Sequence, residues 1–303
     1  MRRRASDPPP TRPDPALQAR LDDLAVLQGQ LLAGQNAGKK LPSIHEAEFK
    51  VFSQFGDDGI VEYLVGHTEI PRERERFVEI GVEDYREANT RFLVVNRNWR
   101  GLIVDSGDAH VRRLAETELL WRYDLTPVTA VVTRENVNEL LARHGFDREL
   151  GLLSLDVDGN DYWIWDAIDA QPVLVVVEYN SVFGPTRAVT VPYDPSFDRT
   201  RAHFSNLYFG ASLRALAELG ERKGYVLVGS NSAGNNAYFV LREYAKGLPQ
   251  PGVEKAYVES RYRESRDEAG NLTFLGGDDR RAAIASFTVL DLERIELVPL
   301  GAL

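Results

Sequence analysis

Two apolar stretches that end in polar side chains decide the fold of this chain: Leu152–Asp161, which reads LLSLDVDGND, and Val173–Asn180, which reads VLVVVEYN. Both are rich in Val and Leu and lack the polar gaps of an amphipathic helix, which is typical of strands buried on both faces of a parallel sheet. Ligands of such sheets bind beyond the carboxyl ends of the strands. Since buried carboxylates are costly unless a metal, base or ligand engages them, the side chains at this edge favour a site over helix capping. These side chains are Asp156, Asp158, Glu178 and Asn180.

An alternation of strand and helix extends to both sides of these stretches. Strands are predicted at 76–80, 101–105 and 128–132, and helices from about 57 and at 89–96, 111–120, 135–144, 162–168 and 211–223. Two further strands, 225–229 and 237–241, are joined by an Asn- and Gly-rich turn and predict an antiparallel pair. Five parallel strands followed by such a pair predict an α/β fold with a seven-stranded, mostly parallel sheet, the count of the methyltransferase variant of the Rossmann-like fold.

The two ends of the chain differ from this central region. Residues 1–15 are Pro-rich and polar and are expected to form a disordered tail, and 16–47 form an N-terminal helical segment. The main α/β domain is expected over 48–245, with a substrate loop or lid at 181–209, and 246–303 form a C-terminal appendage. Leucines recur with helical spacing at 17, 21, 24, 27 and 31, so this helix packs either on the domain or on a second copy in a homodimer.

The composition excludes several classes of function. The 303 residues carry a formal net charge of -10, which argues against a nucleic-acid partner, because phosphate contacts need clustered Lys and Arg. The absence of Cys excludes disulfides, thiolate catalysis and zinc-cysteine sites. No stretch is long and apolar enough to span a membrane, and no apolar signal segment follows the N-terminal arginines. A cytoplasmic protein is the expectation.

The turn after the first strand argues against a dinucleotide. A dinucleotide site needs G-x-G-x-x-G there, whereas 81–86 read GVEDYR and keep only Gly81. Glu83 and Asp84 occupy the place of the diphosphate, which is electrostatically unfavourable for phosphate. The acidic turn instead suits a ligand with an amine or sulfonium and no phosphate. S-adenosylmethionine (SAM) carries both groups, and Glu83 is a candidate contact to it.

Other strand ends supply further candidate contacts to SAM. Glu79 ends the first strand and is predicted to receive the ammonium, while Gly81 lets the backbone approach the ligand. Asp105 ends the second strand, where an acid accepts hydrogen bonds from ribose hydroxyls. By position, the adenine is expected beyond the third strand, near 132–134, which includes Thr133.

Several motifs over about 48–242 resemble those of FkbM-like and related sugar O-methyltransferases. SQFGDDGI at 53–60 resembles their "SQ-x-G-E-D-G" motif, and FVEIG at 77–81 with Asn89–Thr90 is similar to their first SAM motif. WRGLIVD at 99–105 is similar to their second, and 155–163 with 177–180 complete the set. The chain departs from the family in its glycine loop, 82–85, and in Ser106–Gly107, which replace a proline-containing turn.

This resemblance implies a class I SAM-dependent O-methyltransferase that acts on a sugar hydroxyl. The acceptor would be a carbohydrate-containing small molecule or oligosaccharide, such as a glycan, glycolipid or glycosylated natural product, as in polysaccharide biosynthesis. The motifs also imply that Gln54 and Asp57 lie near the methionyl end of SAM and that Asn89 belongs to the cofactor site.

Methylation of a hydroxyl requires removal of its proton, either by a general base or with a divalent cation that lowers its pKa. Related metal-dependent O-methyltransferases place an acid after strand four and an acid plus an amide after strand five, a layout that Asp156, Glu178 and Asn180 match. These oxygen ligands suit Mg²⁺. In the metal-free alternative, Asp158 or His203 is the catalytic base. Both routes remain open.

Three other functions remain as alternatives. The protein could methylate a nitrogen or carboxylate of a small metabolite, where a metal would be unnecessary. It could be a non-catalytic scaffold that lost SAM through the altered glycine loop. An aldolase-like or hydrolytic metal enzyme would leave Glu79 and Asp105 without a role.

Overall fold

A computed structural model of the chain describes residues 15–260 and 264–303. Its strands are β1 (Arg76–Ile80), β2 (Arg100–Asp105), β3 (Leu125–Thr129), β4 (Leu152–Leu155), β5 (Leu174–Glu178), β6 (Val189–Thr190), β7 (Tyr225–Ser230), β8 (Asn236–Leu241), β9 (Thr288–Asp291) and β10 (Glu296–Pro299). Its helices are α1 (Pro15–Asn36), α2 (Asp57–His67), α3 (Arg91–Arg97), α4 (Asp108–Ala115), α5 (Leu119–Arg122), α6 (Val137–Arg143), α7 (Asp161–Ala167), α8 (Arg199–Ala202), α9 (Leu213–Arg222), α10 (Val253–Ala256) and α11 (Asp278–Ala283). Short 3-10 helices cover Ile44–Ala47, Arg72–Arg74, Ser181–Phe183, Arg242–Tyr244 and Leu300–Ala302.

The larger sheet has seven strands in the order β3-β2-β1-β4-β5-β8-β7. The strands β1 to β5 are parallel, whereas β8 pairs antiparallel with both β5 and β7. This confirms the predicted seven-stranded Rossmann-like fold of the methyltransferase type. Because β1 to β5 run parallel, their carboxyl ends lie along one edge of the sheet. The candidate site lies at this edge.

The apolar runs form strands because both faces of the sheet are covered. On one face, Val78, Ile80 and Leu153 belong to a buried cluster that also receives α7 and α9. On the other face, Phe77 and Leu152 belong to a second buried cluster that receives α2 and α3. Every residue of β4 and β5 is buried, which explains why these strands lack polar alternation.

The third strand lies three residues earlier than the sequence predicted, at Leu125–Thr129 instead of 128–132. Its register with β2 runs from Gly101 opposite Leu125 to Asp105 opposite Thr129. Pro127 is tolerated because β3 is an edge strand, where a missing N–H group need not interrupt the ladder. The residues Ala130, Val131 and Val132 consequently leave the sheet and reach the site.

A second, three-stranded sheet joins segments in which the sequence predicted no strand. Its order is β10-β9-β6, so Val189–Thr190 of the predicted loop pair with Leu290 and Asp291 of the C-terminal region. A separate apolar cluster, including Val191, Ile284 and Leu300, fills the space behind it. The C-terminal residues therefore hold the segment after β5 in place.

Helix α1 contacts the main sheet region through one face only. Its inner face packs Val26, Leu32 and Ala33 against Phe92 and its neighbours. Five of its six leucines, at 17, 21, 24, 27 and 31, lie on the outer face and are 49% to 70% exposed. The predicted disordered tail, apart from residue 15, which begins α1, falls outside the described residues. None of the described helices is long and apolar enough to cross a membrane.

Candidate active site

A cavity of about 620 Å³ opens at the carboxyl ends of the parallel strands. It is bounded by the residues after β1 to β5, by the loop before α2, by the turn before β8 and by the segment around α8. Among the described residues that line it, eight are acidic and one, Arg199, is basic. The acidic residues are Glu79, Glu83, Glu87, Asp105, Asp156, Asp158, Glu178 and Glu264. This charge suits a cationic or hydroxyl-rich ligand and disfavours a polyphosphate.

Gly81 brings the ends of β1 and β4 together. Its φ is +85°, and a Cβ atom at this position would lie 1.6 Å from the carbonyl oxygen of Asp156. Its N–H donates to Val104 O at 2.9 Å, which also ties the turn to β2. The glycine is thus required by the approach of Asp156, in addition to any role in approaching a ligand.

Glu79 lines the cavity and also organises its wall. Its Oε1 accepts from the N–H of Asn89 at 2.8 Å, and its Oε2 accepts from the N–H of Thr90 at 3.1 Å and from the Thr90 hydroxyl. Burial raises the pKa of Glu79, and these hydrogen bonds oppose the rise. Glu79 therefore fixes Asn89, another lining residue, while exposing an acidic surface to the cavity.

Asp105 connects the two turns that follow β1 and β2. Its Oδ2 accepts from the N–H of Glu83 at 2.8 Å, and its Oδ1 accepts from the N–H of Gly107 at 2.7 Å. His110 Nδ1 lies 3.2 Å from Oδ1. Because each carboxylate oxygen has two lone pairs, Oδ2 keeps capacity for a ligand hydroxyl on the cavity side.

Three carboxylates after β4 and β5 lie close enough to share a ligand. One oxygen from each of Asp156, Asp158 and Glu178 lies within 4.8 Å of the others. Burial raises the pKa of Asp156 and of Glu178 well above the usual values, and repulsion between these neighbouring carboxylates raises both further. A nearby cation opposes this rise, and Arg199 acts in that direction on both carboxyl groups.

Three of the described side chains that line the cavity each carry a buried oxygen without a hydrogen-bond partner. Glu178 Oε2, Asn160 Oδ1 and Asn236 Oδ1 have no hydrogen-bond partner among the described residues, although their side chains line the cavity. Native proteins satisfy most buried polar atoms, so such atoms indicate a missing donor or cation. The three oxygens are therefore candidate contacts for a bound group.

Two lining residues from the segment after β5 gave no recognisable signal in the sequence. Arg199 donates from Nη1 to Asp158 Oδ1 at 2.6 Å and lies over the ring of Phe209 at 3.9 Å. Phe197 packs so closely over Gly159 that a Cβ there would lie 2.2 Å from its ring. Both lie in the segment 181–209 that the sequence predicted as a substrate loop, and only the tertiary fold shows which of its residues reach the strand ends.

Asp57 does not line the cavity and lies fully buried beneath it. Its Oδ1 accepts from Asn231 Nδ2 at 2.9 Å, from Asn236 Nδ2 at 3.0 Å and from the hydroxyl of Tyr238. The predicted contact between Asp57 and the cofactor is therefore corrected to a supporting position. Gln54 does line the cavity, and its Oε1 accepts from Asn235 Nδ2 at 3.5 Å.

Asn180 is removed from the candidate metal ligands by its position outside the cavity. Its Nδ2 donates to Leu207 O and Phe209 O, both at 2.9 Å, and its Oδ1 accepts from the N–H of Val182 at 3.0 Å. All side-chain donors are used, and the residue does not line the cavity. Asn180 instead anchors the segment that follows β5.

Two other predicted residues lie away from the cavity. The ring of His203 packs against Phe204 and Phe287, and its Nδ1 lies 2.6 Å from Ser205 Oγ, so the structure contradicts a role as catalytic base. Thr133 uses its N–H to donate to Asn136 Oδ1 at 2.8 Å before α6. The cavity wall predicted for adenine is formed by 130–132 instead.

No protein-family model and no curated protein matches the chain. Similar solved structures include the N-terminal domain of EvdMO1 with SAH (S-adenosylhomocysteine) bound, with a TM-score of 0.38 and 11% identity over 72% of this chain and 94% of that chain. An O-methyltransferase from Bacillus cereus in complex with SAH has a TM-score of 0.38 and 12% identity over 75% of this chain and 97% of that chain. The CurJ carbon methyltransferase has a TM-score of 0.41 and 12% identity over 76% of this chain and 72% of that chain. These low scores leave the function to be inferred from the fold and the site.

Proposed function

We propose that this protein is a SAM-dependent O-methyltransferase that methylates a sugar hydroxyl of a glycan, glycolipid or glycosylated natural product. The observation that carries the proposal is the acidic cavity at the carboxyl edge of a methyltransferase-type sheet, with buried oxygens that lack partners. A neutral, polyhydroxylated acceptor and a cationic cofactor are the ligands that such a surface accommodates without phosphate.

The residues after β1, β2 and β3 fit the cofactor. Glu79 and Gln54 lie at the end where the ammonium of SAM would be held, and Asp105 has oxygen capacity for the ribose hydroxyls. The apolar residues Val131 and Val132 lie where an adenine ring would pack. When bound, SAM supplies an electrophilic methyl group on a sulfonium.

The residues after β4 and β5 fit the acceptor. Asp158 is exposed, whereas Glu178 and Asn160 line the cavity and each carry a buried acceptor oxygen without a partner among the described residues. The ring of Phe197 forms a flat apolar wall near Gly159, as is favourable for a sugar face. Arg199 keeps Asp158 in place through its 2.6 Å ion pair.

The acceptor hydroxyl must lose its proton, and two carboxylates are placed to assist. Asp156 and Glu178 have raised pKa values, which makes either a stronger base than an ordinary carboxylate. A divalent cation such as Mg²⁺, held by Asp156, Asp158 and Glu178, would lower the pKa of a hydroxyl bound beside it.

Calorimetry with SAH tests the cofactor site directly. We expect binding in the micromolar range with EDTA present, and a loss of about tenfold or more in Asp105→Ala, because the ribose hydroxyls lose their acceptor. His203→Ala is the matched control, since its ring lies outside the cavity. Absence of SAH binding to the wild-type protein would overturn the proposal in favour of a non-catalytic protein.

Acceptor binding separates sugar methylation from the alternatives. With SAH bound, simple mannosides and rhamnosides are titrated in EDTA and then in Mg²⁺. Binding that requires Mg²⁺ supports metal-assisted O-methylation, and binding in EDTA supports the metal-free route through a carboxylate base. If neither sugar binds under either condition while SAH does, the sugar acceptor is contradicted and methylation of a small metabolite becomes the better proposal.

A further inference from the structure

We infer that Asn236, on β8, supplies the amide oxygen of a divalent-cation site that also includes Asp156 and Glu178. The sequence had assigned this amide ligand to Asn180. This inference rests on the cation assistance included in the proposed function. It identifies a residue on the antiparallel strand, outside the two strand ends from which the site was predicted.

The pairing of β5 with β8 places Asn236 beside Glu178. The two residues are directly opposite each other in the antiparallel register. Side chains of such a pair project to the same face, with Cβ atoms roughly 4.5 to 5.5 Å apart. Both side chains line the cavity, and both are almost completely buried, at 3% exposure for Asn236 and 6% for Glu178.

Asp57 fixes the orientation of the Asn236 amide. Asn236 Nδ2 donates to Asp57 Oδ1 at 3.0 Å, and an amide rotated by 180° would place its oxygen against this carboxylate. Asn231 and Tyr238 donate to the same oxygen and hold Asp57 in turn. The Asn236 oxygen is therefore directed away from Asp57, and it has no partner among the described residues.

A hard divalent cation held between these side chains would satisfy their oxygens together. One oxygen from each of Asp156, Asp158 and Glu178 lies within 4.8 Å of the others, and Glu178 Oε2 and Asn236 Oδ1 are both buried without partners. A carbonyl-type oxygen among carboxylates is a ligand set that Mg²⁺ and Mn²⁺ accept, with water completing the shell. No His lines this cavity among the described residues, which disfavours zinc.

Mn²⁺ binding to the full chain, measured by electron paramagnetic resonance without SAM, tests the inference. We expect one bound Mn²⁺ in the wild-type protein and affinity weakened by about tenfold to 100-fold in Asn236→Ala. Asn236→Asp, which keeps an oxygen at this position, is expected to retain binding. Asn138→Ala is the matched control: the amide of this asparagine donates to Ala167 O at 2.8 Å away from the cavity, and the variant is expected to bind Mn²⁺ like the wild type.

Two results would overturn the inference. The first is wild-type affinity in a folded Asn236→Ala variant, and the second is the absence of Mn²⁺ binding in the wild-type protein, which would leave the orphaned oxygens to acceptor hydroxyls. If Asn236→Ala does not fold, the wild-type protein labelled with ¹³C in its asparagine side chains provides the answer. A hyperfine coupling from Mn²⁺ to an amide carbon supports the ligand, and its absence contradicts it.

The same samples separate this inference from the proposed function. SAH binding is measured by calorimetry on each variant. A protein that binds SAH but no Mn²⁺ retains the proposed methyltransferase and loses the cation site, whereas a protein that binds Mn²⁺ but no SAH loses the proposed cofactor.

Discussion

Gly81 illustrates how a single backbone position sets the shape of the site. The sequence indicated a glycine that lets a ligand approach, and the structure adds a closer contact, the carbonyl oxygen of Asp156. The backbone of the turn after β1 and the backbone of the loop after β4 therefore lie so close together that no side chain fits between them. The carboxylates of both strands consequently line one cavity.

Substituting Gly81 by Ala tests this contact. A Cβ would lie 1.6 Å from Asp156 O, in addition to the strain of φ +85°, so the turn must move and the cavity must change shape. Gly247→Ala is a matched control, because Gly247 has the same φ of +85° with nothing within 4 Å of its added Cβ. We expect Gly247→Ala to lower the free energy of unfolding in urea by about 1–2 kcal/mol, and Gly81→Ala to lower it by several kcal/mol more. Equal losses would show that the Asp156 contact is unimportant.

At the scale of elements, the start of α2 is held by a buried acid. Asp58 Oδ2 accepts from the N–H groups of Val51, Phe52 and Ser53 at 2.7 to 2.8 Å and from the Ser53 hydroxyl at 2.8 Å. Asp58 thereby shapes the loop that presents Gln54 and Phe55 to the cavity. Within the motif at 53–60, the spacing of Ser53 and Asp58 thus has a structural reason, because the two residues are joined by hydrogen bonds.

The pH dependence of stability reveals the burial of Asp58. Burial raises its pKa from 3.8 to about 6, although the hydrogen bonds lower it. An acid whose pKa is higher in the folded protein stabilises folding while protonated, and this contribution is lost as the pH rises from about 4 to 6. In urea titrations, the wild-type free energy of unfolding minus that of Asp58→Asn is expected to fall by up to about 3 kcal/mol over this range and to stay constant above it. Parallel curves for the two proteins would contradict the raised pKa.

Arg199, at the start of α8, connects the segment that follows β5 to the loop after β4. Arg199 binds Asp158 at 2.6 Å, donates from Nε to Asn206 O at 2.8 Å and covers Phe209. We expect Arg199→Met to lower the free energy of unfolding by about 1–2 kcal/mol, between the usual values for exposed and buried pairs. Arg201→Met, in the same helix at an exposed position, is the control and should change it by less than about 0.5 kcal/mol. A similar loss in both variants would mean that the ion pair contributes little.

The sequence predicts those elements whose signal is local. Buried strands such as β4 and β5 are recognisable as apolar runs, and the Asn- and Gly-rich turn before β8 predicts an antiparallel pair. The exact place of β3 is missed because its register depends on pairing with β2 and on its edge position. The pairing of β6 with β9 is missed because it joins residues about 100 positions apart.

The residues of the candidate site likewise fall into two groups: those that the sequence predicts and those that only the structure identifies. Glu79, Asp105, Asp156 and Glu178 end strands and were predictable by position, whereas Asn180 has the right residue type but points its amide into the segment that follows β5. Asn236 occupies the register position opposite Glu178, which no spacing in the sequence reveals. Residue type and strand order therefore predict the strand ends, and only pairing and hydrogen bonds decide which amide faces the cavity.

For the whole molecule, the distribution of apolar surface on α1 suggests that the chain does not act alone. The inner face of α1 already packs on the domain, and the residues described at 15–260 and 264–303 leave the five outer leucines exposed. Leu17, Leu24 and Leu31 are separated by seven residues, the spacing of a coiled-coil seam, and Leu21 and Leu27 widen the same stripe. A second copy of the helix is the partner that matches this stripe, as in the homodimer predicted from the sequence.

Solution mass tests this homodimer. Light scattering coupled to gel filtration is expected to give twice the 34.0 kDa of one chain. Leu24→Asp places a charge at the centre of the stripe and is expected to shift the protein to the monomer mass, since burying an unpaired carboxylate in the seam is costly. Gln30→Asp adds the same charge to α1 outside the stripe and should leave the dimer intact. A monomeric wild-type protein, or a Leu24→Asp variant that stays dimeric, would contradict pairing through this face and would leave the leucines to another partner.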